Sequence, residues 1–302
     1  MFDRGNLGPI ILCTVAVRRC EEAVAVYQKT FGLSPAGGGV VSPALASAWG
    51  APAMAGRRYA VAKPESGEPG WLRFVETDIP DAYRPLASTG WAAIEILVAH
   101  TPSVRQRVAS APFKVIGEPH GLRSYPEIIA MQAIGPNGEV LYLTNVPAKG
   151  GRHDLPNVRS FVDRVFIAVL GVPDYDATLA AYKQRFGLKQ VSDHARGTNF
   201  IGETYGIAAP EWPLRMGTLQ LSGQSVIQVD EYTKGAGPRP TAPGSIPAGY
   251  SITSMIVPSL DPHRRDLVGP VVNPGEPPYN GRAMGVWRAP GGELIELVEA
   301  GN

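Results

Sequence analysis

The sequence predicts an α+β chain of four strand–helix–strands units arranged as two related halves, and three observations carry this. A turn signal runs into an apolar strand at residues 290–299 (PGGELIELVE). The same design stands 154 positions earlier, at residues 136–143 (PNGEVLYL), with Tyr142 where the later copy has Glu296. Two helix ends also match, VYQKTFGL and AYKQRFGL, with Tyr27/Tyr182 and Gly32/Gly187 both 155 apart. Leu72-Arg73-Phe74 and Ile227-Gln228-Val229 share the 155 offset, and Trp49-Gly50 is echoed by Tyr205-Gly206 at 156. Nearly one offset across matching element types marks an internal repeat.

In chain order, residues 10–17 (IILCTVAV) read as the first strand. Residues 21–31 read as a helix with Ala23, Val26, Tyr27 and Phe31 on one face, stopped by Gly32. Strands follow at about 59–62 and 71–76. The second unit opens at 93–98 (AIEILV), with a short helix near 103–110 and strands near 113–116, 127–133 and 140–144. Residues 148–157, polar and Gly-rich, read as the linker. The third unit has a strand at 165–172, a helix at 177–186 and a strand around 227–229; after a Pro/Gly loop at 233–249, residues 252–257 open the fourth. The expected halves are 1–147, with modules at about 8–78 and 90–147, and 158–302, with modules at about 162–232 and 249–300.

Composition narrows the function. The chain has 302 residues, 44% hydrophobic and 18% charged, with a formal net charge of +1. That is a globular chain with no electrostatic reason to bind nucleic acid or an anionic membrane. No apolar run approaches the length of a membrane span, and the N-terminus reads as a strand, not a signal peptide. Cys13 and Cys20 are the only cysteines, too few for a disulfide framework or a zinc site, so a cytoplasmic location is expected. The 35 Gly and 29 Pro suit short strands joined by tight turns.

The motif Asp174-x-Asp176-Ala177, then Tyr182, Phe186, Gly187 and Leu188, with the closing Pro290, Gly292, Ile295, Glu296, Leu297 and Glu299, resembles the vicinal oxygen chelate superfamily. That superfamily includes glyoxalase I, extradiol dioxygenases, methylmalonyl-CoA epimerase and bleomycin-resistance proteins. The resemblance implies four βαβββ modules paired into two curved, barrel-like sheets, one per half, each enclosing a cleft. It also implies metal ligands at the start of each module's first strand, usually His, and in the middle of its last, usually Glu. Alternation along the strands puts Cys13, Val15 and Val17 toward the helix and Leu12, Thr14 and Ala16 toward the cleft. The ligand positions of the first half are then Leu12, Arg73, Ala93 and Tyr142, and those of the second Ile167, Gln228, Ile252 and Glu296. Only Glu296 is a plausible ligand, and a divalent iron or zinc site needs about three. His100, His120, His153, His194 and His263 all stand away from ligand positions. No metal or other cofactor is therefore expected.

The candidate catalytic residues are Glu95, His120, Tyr142 and Glu296. Glu95 faces the cleft between two helix-facing isoleucines, either as a general base or acid or as the ion-pair partner of Arg73. His120, in a loop before a strand, is a proton shuttle or a surface histidine. Tyr142 is a hydrogen-bond donor to a substrate oxygen or an ordinary sheet tyrosine. Glu296 is a base, or what remains of a lost metal site. The candidate substrate-binding residues are Arg73 and Gln228, with Trp212, Arg215 and Trp287 at the rim of the second cleft. Residues 40–54 (VVSPALASAWGAPAM) form a flap or a loop. No phosphate-binding Gly-rich loop occurs. The expectation is a metal-independent lyase or isomerase acting on a small hydrophobic oxygenated metabolite. A ligand-sequestering, resistance-type protein is the alternative, and a metal-dependent dioxygenase or glyoxalase is the third reading. The partner is a small molecule, with no nucleic acid and no membrane, and the chain is a monomer or a homodimer.

Overall fold

The computed structural model describes residues 5–122, 125–147, 154–194 (side chains to 189), 215–232 and 236–301. The first module is β1 (Ile10–Val17), α1 (Cys20–Phe31), β2 (Ser34–Val40), α2 (Pro43–Ala48), β3 (Arg58–Lys63) and β4 (Trp71–Glu76). The second is β5 (Gly90–Val98), α3 (Thr101–Ala109), β6 (Lys114–Leu122), β7 (Tyr125–Ile134) and β8 (Val140–Asn145). The third is β9 (Val162–Val172), α4 (Tyr175–Phe186), β10 (Lys189–His194), β11 (Met216–Gln220) and β12 (Val226–Glu231). The fourth has β13 (Gly249–Val257), a 3-10 turn at Asp261–Asp266 in place of the helix, β14 (Met284–Arg288) and β15 (Leu294–Glu299). Its second strand is reduced to isolated bridges, Leu267 with Trp287 and Val272 with Met284.

The helix ends follow from local chemistry. Gly32 and Gly187 adopt φ of +74° and +66°, and each amide closes on the carbonyl four residues back, at Gln28 and Lys183. This left-handed cap costs little only for glycine. Asp174 caps α4 by accepting from the Ala177 amide at 2.9 Å. No helix among the described residues is long and apolar enough to cross a membrane.

Strand pairing corrects the expected domain plan. The halves 1–147 and 158–302 do not each close a sheet. The first module pairs with the fourth, in a seven-stranded sheet ordered β14-β15-β13-β1-β4-β3-β2. The second pairs with the third, in an eight-stranded sheet ordered β10-β11-β12-β9-β5-β8-β7-β6. Within every module the first and last strands run parallel, and the modules join through antiparallel β1·β13 and β5·β9. Both sheets are curved and neither closes into a barrel. Residue periodicity fixes which face a strand buries but not which distant strand it meets, so the pairing was invisible to alternation.

The predicted face parity holds. Cys13, Val15, Val17, Ile94, Ile96, Val98, Ala168, Leu170, Ile295 and Leu297 share one core with Tyr27, Phe31, Tyr182 and Phe186 of the helices. That core spans all four modules, so the helix sides of both sheets face the interior and the other sides form the two concave faces. Two buried carboxyls fasten the modules as they follow one another. Glu139, in the turn before β8, accepts from Tyr27 of α1 at 2.9 Å, and Glu293, in the turn before β15, accepts from Tyr182 of α4 at 2.7 Å. These are the repeat-related tyrosines of the two halves, each meeting a repeat-related glutamate.

Candidate functional site

The first concave face, between modules one and four, is a filled core. Arg73 on β4 and Glu296 on β15 meet there, 2% and 0% exposed, with Nη2 donating to Oε1 at 2.8 Å. Arg73 also donates to Thr14 Oγ1 at 2.6 and 2.9 Å and to Tyr279 Oη at 2.5 Å. Glu296 further accepts from Trp49 Nε1 at 2.6 Å, from Tyr279 Oη at 2.5 Å and from Ser254. The Arg73 guanidinium lies 4.8 Å from the Trp49 ring centre. Burial alone would push the Glu296 carboxyl up, but the Arg73 charge and the Ser254 and Tyr279 hydroxyls outweigh it and hold the carboxyl below its usual range.

The segment 40–54 is neither a flap nor a plain loop. It turns through α2, whose Ser42 accepts from the Leu45 amide at 3.1 Å, and through a 3-10 turn at Pro52–Met54. It packs Val41, Leu45, Trp49 and Met54 against Leu12, Ile252 and Val298. Glu296, expected as a base or as what remains of a lost metal site, is held in the buried ion pair with Arg73. Arg73, expected to bind substrate or to pair with Glu95, is committed to Glu296, because β4 and β15 lie in one sheet and β5 lies in the other. With a guanidinium on the carboxylate, Leu12, Arg73, Ile252 and Glu296 do not fit a divalent metal.

The second concave face, between modules two and three, is polar at its centre. Glu95 on β5 stands opposite Tyr142 on β8 and Ile167 on β9. It is 6% exposed and accepts from Thr144 Oγ1 at 2.6 Å. Asp230 on β12 is 1% exposed and accepts from the Gln228 amide at 3.0 and 3.3 Å. Burial pushes the Glu95 carboxyl up to about 7, against the Thr144 hydrogen bond. Burial also pushes Asp230 up to about 7, against the Gln228 hydrogen bond and with help from the Glu95 charge. Tyr142, 6% exposed, is held well above its ordinary value by burial and then by the charges of Asp230, Tyr232 and Glu95. The two carboxyls and the two phenols therefore form one electrostatically coupled group. Leu86, Ala93, Val140 and Val169 give it an apolar surround. Gln132, opposite Tyr142 on β7, buries a side-chain oxygen that accepts no hydrogen bond. The ligand positions of this sheet are Ala93, Tyr142, Ile167 and Gln228, and no group of three His, Cys, Asp or Glu side chains gathers among the described residues. This donor set does not fit a divalent metal either.

The other predicted site residues stand elsewhere. His120 is in strand β6, not in a loop, and is exposed, with Nδ1 2.8 Å from the Glu118 carbonyl. Arg215 does not rim a cleft; it pairs with Asp176 of α4 at 2.7 Å and covers the Tyr175 ring at 4.2 Å. Trp287 lies on the helix side of β14, 5.5 Å from the Tyr182 and Phe186 rings. Its strand neighbour Ile295 belongs to the same helix-side core, so alternation counted from β15 would have placed it there. Trp212, the Tyr205-Gly206 echo and residues 148–153 of the linker lie outside the described residues. Sequence reasoning missed Asp230, although it stands two residues beyond Gln228 and alternation puts both on the same face.

Four βαβββ-type modules, each with its first and last strands parallel, arranged around two concave faces, are the fold of solved glyoxalase I structures. The chain is similar to a variant of glyoxalase I from Zea mays at 12% identity, covering 98% of this chain and 94% of that one with a TM-score of 0.66. Glyoxalase I from Zea mays itself superposes at 14% identity, 98% and 93% coverage and a TM-score of 0.62. A putative dioxygenase from Bacillus subtilis subsp. subtilis str. 168 does so at 13% identity, 98% and 86% coverage and a TM-score of 0.63. At these identities the likeness establishes the fold. No protein-family profile matches the sequence, and no curated protein matches it by sequence.

Proposed function

We propose that the chain is a metal-independent lyase or isomerase that moves a proton on a small, hydrophobic, oxygenated metabolite in the cleft between modules two and three. The observation that carries this is the coupled pair Glu95 and Asp230, both buried beside Tyr142 and both brought near neutrality. Two carboxyls so coupled titrate as a pair and hold about one proton between them near pH 7. Asp230, the more deeply buried, keeps the proton, and Glu95 is the base. For a substrate with an acidic C–H beside a carbonyl, the Glu95 carboxylate takes the proton from carbon. The carbonyl oxygen gains charge as the C–H electrons move toward it, and the Tyr142 hydroxyl donates to it. Asp230 supplies a proton to oxygen or to carbon in the second step, which leaves Glu95 protonated and Asp230 ionised, and exchange with water after product release returns the pair to its starting state. The apolar surround favours a largely uncharged substrate.

The test is turnover of carbonyl and aromatic metabolites, selected by thermal shift, in Glu95→Gln and Asp230→Asn. Loss of turnover with ligand affinity retained in both variants supports the enzyme. If both variants bind as tightly as wild type and no substrate is consumed by any form, the protein is a ligand-sequestering one, a role that the same apolar surround would serve.

A further inference from the structure

A cavity of about 140 Å³ opens between the start of β5, the loop at 236–248 and the β14–β15 turn, away from both concave faces. Its lining includes Gly90, Arg239, Thr241, Ser251, Arg288 and Glu293. The volume is about ten times what one water needs. Arg239 forms the inner wall. Its guanidinium donates only to uncharged oxygens: Ser88 Oγ at 3.1 Å and the carbonyls of Ala248, Tyr250 and Trp91 at 3.2, 2.6 and 2.5 Å. Arg288, exposed at the mouth, has a single long contact to the Gly292 carbonyl at 3.4 Å. Among the described residues, neither arginine has a carboxylate within ion-pair distance. The one acid in the lining, Glu293, accepts from Tyr182 at Oε1 and has a buried Oε2 without a hydrogen bond, and burial pushes it up to about 7, so it is largely uncharged in mildly acidic solution.

A guanidinium taken out of water without a counter-charge is expensive, and carbonyl dipoles compensate only part of the cost. Two arginines, one held rigidly with a single Nη2 hydrogen uncommitted and one free to close, flank the space and can take an oxygen anion, while the hydroxyls of Thr241 and Ser251 donate to the carbonyls of Arg239 and Pro247 and offer it no donor. We infer that this cavity binds a small oxyanion, a phosphate or a carboxylate group, between Arg239 and Arg288. The site is separate from the proposed reaction and stands or falls without it.

The experiment titrates the whole protein with inorganic phosphate, and separately with acetate, at pH 6.5 and constant ionic strength set by sodium chloride. Melting temperature and calorimetric heats are the readouts. The expected result is a saturable rise in melting temperature with at least one anion, and binding about tenfold weaker or more in Arg288→Ala, the loss of one charged hydrogen bond. Arg288 is exposed, so this variant folds. Arg239→Lys, which keeps charge but loses the fork, weakens binding as well. Saturation by phosphate alone identifies a phosphate site, and saturation by acetate alone a carboxylate site. No saturable effect of either anion, or an effect undiminished in Arg288→Ala, overturns the inference.

Discussion

Glu95→Gln separates a strained functional carboxyl from an ordinary buried one by its effect on stability against pH. Glutamine keeps the shape of Glu95 and still accepts from Thr144, but it cannot ionise. In the wild type the unfolded chain releases the Glu95 proton around 4.5, while the folded chain holds it to about 7. Between those values the native state binds more protons than the unfolded one, so this group's contribution is complete below about 4.5 and lost as pH rises to about 7. At about 1.4 kcal/mol per pH unit, the loss amounts to about 3 kcal/mol. The burial is nearly complete, so solvent screening removes little of it.

The variant should therefore gain on the wild type as pH rises, by about 3 kcal/mol between pH 4.5 and 7.5. Urea unfolding followed by tryptophan fluorescence, at half-unit steps, reads this directly. Taking the difference between the two proteins cancels the titrations they share, including the acid-side loss of the depressed Glu296, while Asp230, freed of the Glu95 charge in the variant, is raised less there and widens the gap in the same direction. Turnover should fall by about 10²–10⁴ in the same variant. A stability gap that stays flat or shrinks with pH would sink the claim that burial governs Glu95. A gap that grows while turnover is untouched would remove Glu95 from the chemistry.

On the opposite face, Arg73→Met and Glu296→Gln should each cost about 3–5 kcal/mol in denaturant unfolding, and the double variant less than their sum, because each single change strands the other member. Ligand affinity at the second cleft should be unchanged in Glu296→Gln at a temperature where the variant stays folded; a loss of affinity would mean that the two faces act together. Trp287→Ala should cost about 3–5 kcal/mol, measured by urea unfolding, because it empties a core position against Tyr182 and Phe186. His120→Ala should leave kcat/KM as in the wild type, and a fall of tenfold or more would return His120 to the proton path.

The repeat was legible because its anchors do structural work in both halves. Tyr27 and Tyr182 each hold a buried glutamate, and Gly32 and Gly187 each end a helix in a left-handed turn. Alternation sorted β1 and β5 correctly into helix-facing and cleft-facing sets, since one wrong step would move the whole apolar set to the other face. It named Glu95 and Tyr142 on the right face. It did not see β2, SPAGGGV, because glycine and proline carry no strand signal and this edge strand is mostly exposed. It missed the partner of Arg73, because that choice is made between strands more than 200 residues apart. Trp287 pairs with Ile295, so its own parity places it on the helix side and not at a cleft rim.

The two faces carry one design to opposite ends. In the first, Arg73 and Glu296 neutralise each other, four donors surround the carboxylate, and Trp49, Tyr279 and α2 occupy the space where a ligand would sit. In the second, the repeat-related positions are Gln228 and Tyr142, and the carboxyls stand beside them, Asp230 two residues beyond Gln228 and Glu95 across from Tyr142 on β5. No described basic side chain pairs with either one, and each has only a neutral donor, Thr144 or Gln228. Folding gains nothing from two such acids, whose burial weakens the native state at neutral pH, whereas an apolar pair of the same size would strengthen it. The first face shows that this fold can satisfy a buried carboxylate completely when stability is the only demand. Leaving two without a counter-charge in the second follows if their protons are used.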